Sequence, residues 1–183
     1  MKKLFLFVAG CVCIMACNNK TSDQTTAKDS TATAEPKPLP QTEFADQKYT
    51  DIGKKGNAQM ESGDVDGWLT QFSDNAHYNW SGGDSLVGKA AIAAYWKNRR
   101  AKVIDSIKFS YDIWLPIKVN TPQKGPDRAG IWLLGWSQVN VKYKNGKKLT
   151  FWHHTDYHFD NNDKVDLVVQ YLDRAPINAA LKK

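Results

Sequence analysis

Three of the four histidines in this 183-residue chain lie in one six-residue run, His153-His154-Thr155-Asp156-Tyr157-His158. An imidazole titrates near neutral pH and a carboxylate accepts protons, so the run could support proton transfer or bind a metal ion. His154, Asp156 and His158 would share one face of an extended strand, where alternate residues are ~6.6 Å apart. Three side chains with that spacing converge poorly on one ion. We therefore expect no metal site. The alternative is that His154, Asp156 and His158 together bind a metal ion.

The opposite face of the same strand would carry Phe151, His153, Thr155, Tyr157 and Phe159. A four-residue turn at 160–163 would place Thr155 opposite Val168 and His153 opposite Gln170 in the strand that follows. The run thus predicts a histidine and an amide side by side on one face.

The remaining elements must hold this strand in place. Sequence patterns typical of helices occur at 46–62, around Trp68 and at 88–96. Patterns typical of strands occur at 76–80, 104–119, 131–143, 149–159 and 165–172. Within 104–119, one face is expected to carry Ile107, Phe109, Tyr111, Ile113 and Leu115. This order predicts an α+β fold, with about three N-terminal helices packed on a curved antiparallel sheet of four to six strands.

The N-terminus has the features of an export signal. Lys2 and Lys3 precede an apolar run, residues 4–16, that is too short to span a membrane comfortably. All three cysteines lie within the first 17 residues, so the rest of the chain has no disulfide, thiolate zinc site or cysteine nucleophile. The sequence predicts a signal peptide at 1–17, a disordered tether at 18–45 and one folded domain at 46–183.

The end of that run, Ile14-Met15-Ala16-Cys17, resembles the lipobox of bacterial lipoproteins. The resemblance implies that Cys17 is lipidated and that a membrane is a partner of the protein. It implies the cell envelope of a Gram-negative-type bacterium, with the outer membrane favoured because Asn18 is not the aspartate of inner-membrane retention. The alternatives are an ordinary secretory signal or a single membrane anchor. The formal net charge is +6, but export argues against a nucleic-acid partner.

Three segments of the domain, taken in order, resemble the nuclear transport factor 2-like (NTF2-like) superfamily. They are SGDVDGWLTQFSDNA at 62–76, VGKAAI at 87–92, and Phe159 followed after four residues by Lys164-Val165. The match is to the SnoaL-like, ketosteroid-isomerase-like branch and covers residues 46–175. It implies a cystatin-like cone of helices and bent sheet around one pocket. Isomerases, cyclases, dehydratases, hydrolases and noncatalytic modules share this fold, so fold alone does not assign the function.

The resemblance also allows one activity, ketosteroid isomerisation, to be compared position by position. Three catalytic positions of the ketosteroid isomerase hold other residues here. Gly56 stands in place of the oxyanion-binding tyrosine, Trp80 in place of the general-base aspartate, and Thr155 in place of the protonated aspartate. Proton transfer beside a ketone needs a carboxylate base and donors for the developing oxyanion. None of these three residues supplies such a base, which argues against ketosteroid isomerase chemistry.

The resemblance further implies that the face of His153 points into the pocket. The predicted lining is Tyr78, Trp80, His153, Thr155, Tyr157, Val168, Gln170 and Leu172. Such aromatic walls suit a small, partly apolar or ring-shaped ligand or glycan, bound without a cofactor. The alternative is an enzyme of the isomerase, hydrolase or dehydratase type that uses His153 as acid and base. The other face of this strand, with Trp152, His154, Asp156 and His158, is a candidate homodimer contact. If the strand were turned over so that this face lined the pocket, Asp156 would orient His154 or His158 as the base.

Overall fold

The computed structural model describes residues 37–182. The helices are α1 (Lys48–Ser62), α2 (Val65–Leu69), α3 (Lys89–Lys102) and α4 (Ala175–Leu181). The strands are β1 (Thr42–Phe44), β2 (Phe72–Trp80), β3 (Ser85–Val87), β4 (Ile104–Val119), β5 (Gly130–Tyr143), β6 (Lys148–Phe159) and β7 (Val165–Tyr171). Residues 1–36 lie outside the described part, and with them the predicted signal peptide, Cys17 and most of the predicted tether. No helix among residues 37–182 is long and apolar enough to span a membrane.

All seven strands form one open sheet in the order β1-β4-β5-β6-β7-β2-β3. Every neighbouring pair is antiparallel except β2 and β7, which are parallel. The α+β class is confirmed. The sheet has seven strands rather than four to six, and a fourth helix, α4, follows it. Strand β1 lies within the predicted tether, so folded structure begins before residue 46.

The helices cover one face of the sheet, called here the inner face. The core beneath α1, α2 and α3 includes Trp68, Phe72, Ile92 and Leu133. A second cluster lies beneath α4 and includes Ile107, Val139, Tyr143 and Ile177. The outer face carries a smaller cluster of Val119, Trp132, Leu167 and Val169.

A β-bulge in β4 changes which side chains face the core. The register with β5 shifts between Ser110 and Ile113, and Tyr111 adopts a left-handed φ of 55°. Because the shift interrupts the alternation, Ile113 is 56% exposed on the outer face and Trp114 turns inward. The prediction that Ile107, Tyr111 and Leu115 share one face is therefore wrong. Regular alternation does not reveal where a bulge lies.

Trp114 packs so closely that two facing positions accept only glycine. A Cβ atom at Gly53 of α1 would lie 2.8 Å from the Trp114 ring, and one at Gly135 of β5 would lie 2.5 Å from it. These glycines allow the helix and the sheet to approach the indole from both sides.

The pairing of β6 with β7 differs from the predicted register by two residues. Thr155 lies opposite Gln170, and Tyr157 lies opposite Val168. Five residues rather than four connect the strands, and a bulge before Leu167 adds one more. Because the displacement is an even number of residues, each side chain keeps the face that the alternation assigned to it.

Candidate ligand-binding cavity

A cavity of about 100 Å³ lies between the inner face of the sheet and helices α3 and α4. This space accommodates several waters or one small organic molecule. Most of its wall is aliphatic or aromatic, and its polar lining residues are His153, Gln170, Arg99, Arg174, Tyr95, Tyr143 and Asn178. The shape and composition are those of a small apolar pocket with a few converging polar groups.

Gln170 is the centre of the hydrogen-bond network beside this cavity. Its Oε1 accepts from the Tyr78 hydroxyl at 3.0 Å and from Trp80 Nε1 at 2.9 Å. Its Nε2 donates to Thr155 Oγ1 at 3.3 Å and to His153 Nδ1 at 3.1 Å. The Trp80 N–H can only donate, so it determines which end of the amide points toward it. All hydrogen-bonding capacity of this buried amide is used by protein side chains.

This network determines the protonation of His153. Its Nδ1 faces a group that only donates, so a neutral ring carries its proton on Nε2. Burial lowers the pKa of His153 from 6.5 to about 4, and the charge of Asp112 acts in the opposite direction. The ring stacks on Phe109 with 5.7 Å between centroids. His153 is therefore neutral at pH 7 and supplies one N–H donor.

The eight predicted pocket residues lie in three different environments. Trp80, His153, Gln170 and Leu172 line the cavity. Tyr78 and Thr155 lie behind it and contact Gln170.

Tyr157 and Val168 lie away from the cavity. Tyr157 borders a separate small cleft with Gly56, and Val168 is fully buried in the core. Burial raises the pKa of Tyr157, so its hydroxyl stays protonated.

The cavity wall on α3 was not predicted from the sequence. It consists of Tyr95, Trp96 and Arg99, with Arg174 contributed by the segment after β7. The i, i+3, i+4 spacing of Ile92, Tyr95 and Trp96 indicates an apolar helix face but not what that face covers. The Tyr95 ring lies 5.1 Å from Trp80 and 5.4 Å from Trp96, which makes this wall a continuous aromatic surface.

The three positions compared with the isomerase offer no carboxylate. Gly56 lies against the Trp68 ring, where a Cβ atom would be 3.4 Å from Cδ1. The N–H of Trp80 and the hydroxyl of Thr155 are both bonded to Gln170. Within residues 37–182, no carboxylate is hydrogen-bonded to His153. The polar group that reaches it is an amide.

His154 and Asp156 lie on the outer face of β6. The His154 ring lies between Trp136, at 4.4 Å, and Tyr171, at 5.5 Å. Its Nδ1 donates to the Gly135 carbonyl at 3.0 Å. Its Nε2 lies 2.7 Å from Asp156 Oδ1, within ion-pair distance but without hydrogen-bond alignment. Burial raises the pKa of Asp156, and the charge of His154 opposes that rise.

His158 contacts a different set of groups. Its Nδ1 is 2.5 Å from Asp166 Oδ1, and its Nε2 donates to the Ala129 carbonyl at 3.1 Å. Asp166 is the residue added by the bulge in β7. In the described part of the chain, no three His, Cys, Asp or Glu side chains are grouped to hold a metal ion.

Solved structures with a similar fold come from several bacteria. A putative polyketide cyclase from Xanthomonas campestris pv. campestris superposes with a TM-score of 0.59 and 13% identity, over 74% of this chain and 98% of that one. An NTF2-like protein of unknown function from Burkholderia pseudomallei gives 0.57 and 13%, over 73% and 97%. An LEH-like epoxide hydrolase from M. tuberculosis gives 0.52 and 14%, over 72% and 86%. The sequence matches no protein-family model and no curated protein.

These similarities concern the fold, which is the NTF2-like α+β fold. The structures that share it include putative polyketide cyclases, an epoxide hydrolase and a protein described as having a ketosteroid isomerase-like fold. A fold used for several chemistries leaves the function to be argued from the cavity.

Proposed function

We propose that this domain is a binding module whose cavity holds a small, partly apolar, ring-shaped ligand. The observation that carries the proposal is the environment of His153. Its Nδ1 is occupied by the Gln170 amide rather than by a carboxylate, and its lowered pKa keeps the ring neutral. A general acid or base works best with a pKa near the operating pH and with a partner that orients it. The cavity thus offers shape and hydrogen bonding rather than an acid–base pair.

The aromatic wall supports the same function. Trp80, Tyr95 and Trp96 contribute connected rings to the cavity wall, and β4 and β5 contribute aliphatic residues. Aromatic and aliphatic walls bind a flat ring through burial and stacking without a charge. The volume of about 100 Å³ limits the ligand to roughly the size of one ring.

The second candidate function is an enzyme of the isomerase, hydrolase or dehydratase type. It is favoured by the catalytic names of some proteins with this fold, a putative polyketide cyclase and an LEH-like epoxide hydrolase among them. His153 would be the acid or base, acting through Nε2. The pKa of about 4 makes the neutral ring a weak base.

A pair of matched tyrosine variants tests the binding function. Tyr95→Leu removes a ring from the cavity wall, whereas Tyr111→Leu removes one that is 73% exposed on the bulge. We expect benzyl alcohol, a neutral one-ring probe, to bind the wild type and Tyr111→Leu with similar affinity and Tyr95→Leu at least tenfold more weakly. Ligand-observed NMR measures this binding, and circular dichroism checks that both variants fold. Equal binding by all three proteins would contradict the proposed cavity function.

The membrane anchor is part of the proposal and rests on the sequence around Cys17. Two or more acyl chains hold a protein stably at a membrane, whereas one binds only marginally. Replacing Cys17 by Ser is expected to move the protein out of the membrane fraction, while Cys13→Ser leaves it there. Mass spectrometry of the membrane-bound protein should show an acylated N-terminal Cys17. An unmodified Cys17 would rule the anchor out.

A further inference from the structure

We propose that the ligand of this cavity carries a carboxylate, and that Arg99 of helix α3 binds it. This inference rests on the proposed binding function and names the chemical class of the ligand. It predicts a cyclic or aromatic acid of about one ring, with its ring against Trp80 and Tyr95 and its charge at Arg99.

Arg99 is a cavity-lining cation that has no acidic partner in the described chain. Its side chain is half-buried and lines the cavity. The guanidinium carbon lies 5.7 Å from the Tyr95 ring centroid. No carboxylate oxygen of residues 37–182 lies within 4.0 Å of an Arg99 side-chain nitrogen. A partly desolvated guanidinium is costly unless it is paired. The structure therefore leaves a positive charge at the cavity for a ligand to compensate.

The field of Arg99 reaches other cavity groups. Burial raises the pKa of Tyr78 and of Tyr143, and the positive charge of Arg99 opposes the rise at both hydroxyls. Tyr143 of β5 lines the cavity, and Tyr78 of β2 lies behind it. The charge of Arg99 therefore acts on one hydroxyl that lines the cavity and on one that lies behind it.

Arg174 is a contrasting case in the same cavity. Its guanidinium lies 5.7 Å from the Trp80 ring centroid, but it is already paired with Asp84. One cavity arginine is thus neutralised within the protein and the other is not. The two arginines and the one aspartate leave an excess of one positive charge, which matches a ligand with a single negative charge.

A carboxylate fits these groups better than a phosphate does. A guanidinium presents a planar pair of donors that matches the two oxygens of a carboxylate. A doubly charged phosphate would need more than the one uncompensated cation found here. His153 adds a neutral N–H donor to the lining, suited to a hydroxyl or carbonyl group on the ring.

The test compares benzoate with benzyl alcohol, two one-ring probes that differ in charge, on the purified protein. We expect benzoate to bind the wild type at least tenfold more tightly and its advantage to shrink as salt is raised. Arg99→Gln should abolish the advantage, because it removes the charge that distinguishes the two probes. Lys102→Gln, which removes an exposed cation from the same helix, should retain it. Arg99→Lys should fall between them, because it keeps the charge but not the planar pair of donors.

The possible results separate this inference from the proposed function. If the two probes bind the wild type equally well, or if Arg99→Gln retains the preference for benzoate, the carboxylate inference is wrong while the binding function stands. If neither probe binds the folded wild type, the binding function and this inference both fail. Circular dichroism of Arg99→Gln establishes that a lost preference does not come from unfolding.

Discussion

The two faces of strand β6 place histidine in two different hydrogen-bond environments. On the outer face, each ring nitrogen of His154 and of His158 lies against a protein carbonyl or carboxylate. On the inner face, one nitrogen of His153 is bonded to Gln170, and the ring lines a cavity. Imidazoles whose nitrogens are both used inside the protein stabilise it, whereas one with a remaining N–H can serve a ligand. His154 and His158 thus stabilise the fold, and His153 is the histidine that keeps a donor for the ligand proposed above.

The largest effect is expected at the inner network. Gln170→Leu leaves the Tyr78 hydroxyl, the Trp80 N–H and His153 Nδ1 without their shared partner inside the protein. Unsatisfied buried polar groups cost about 1–3 kcal/mol each, so the free energy of unfolding should fall by about 3–5 kcal/mol. Urea denaturation measures this loss.

Its control is the same replacement on the outer face of β5. Gln138→Leu should change the free energy of unfolding by less than about 1 kcal/mol, because its half-buried side chain has no hydrogen bond to the described chain. If both variants lost the same free energy of unfolding, the hydrogen bonds of Gln170 would not be the special source of stability that we expect.

The next effect is the pH dependence caused by His153. Its folded-state pKa of about 4 lies below its usual 6.5, so between these values the unfolded chain binds more protons. The stability from the neutral ring is complete above pH 6.5 and is lost as the pH falls toward 4. Between pH 7 and pH 5 we expect the free energy of unfolding to fall by about 2 kcal/mol.

Two histidine variants isolate that contribution. His153→Gln should lose most of this pH dependence, whereas His77→Gln, changed on β2 away from the cavity, should retain it. Denaturation curves at the two pH values give the comparison. Similar pH dependence in the wild type and in His153→Gln would show that the inner histidine is not the group responsible.

A smaller effect is expected at the outer face. Asp166→Asn weakens the contact of the carboxylate with His158 Nδ1. The same ring donates through Nε2 to the Ala129 carbonyl. We expect a loss of about 1 kcal/mol in the free energy of unfolding. Faster hydrogen exchange should appear in the segment 121–129.

Asp74→Asn is the control for this variant, since the Asp74 side chain is fully exposed. It should leave both the free energy of unfolding and the exchange of 121–129 unchanged. Unaltered exchange in Asp166→Asn would mean that the His158 contact does not hold this segment.

The smallest effect on the stability of one copy is expected at Trp152, which is 51% exposed on the outer face. Trp152→Glu should change the free energy of unfolding by less than about 0.5 kcal/mol. If two copies pair through this face, sedimentation velocity should show a dimer for the wild type and a monomer for the variant. A wild-type monomer would remove the outer face as a homodimer contact.

The bulges mark the limit of prediction from this sequence. Alternation assigned His153 and His154 to opposite faces of β6, because that property is local to one strand. It misplaced Ile113 because the bulge at Tyr111 is set by pairing with β5. The register of β6 with β7 was also wrong, because the five-residue connection and the bulge at Asp166 depend on packing between strands.

The candidate site was predicted in part for the same reason. The placement of His153 and Gln170 side by side follows from one hairpin. It survives a register shift of two residues, because such a shift leaves every side chain on the same face of the sheet. Arg99 and Arg174 come from a helix and from the segment after the last strand, and no local pattern connects them to that hairpin.

The sequence by itself determined the α+β class, the division of β6 into two faces and the four predicted residues that line the cavity. Those properties depend on hydrophobic periodicity and turn chemistry, which act over a few residues. Only the tertiary structure decided that Arg99 and Arg174 complete the cavity, and that Asp84 neutralises Arg174 but not Arg99. Such pairings join residues far apart in the chain, because burial and charge compensation are properties of the packed molecule.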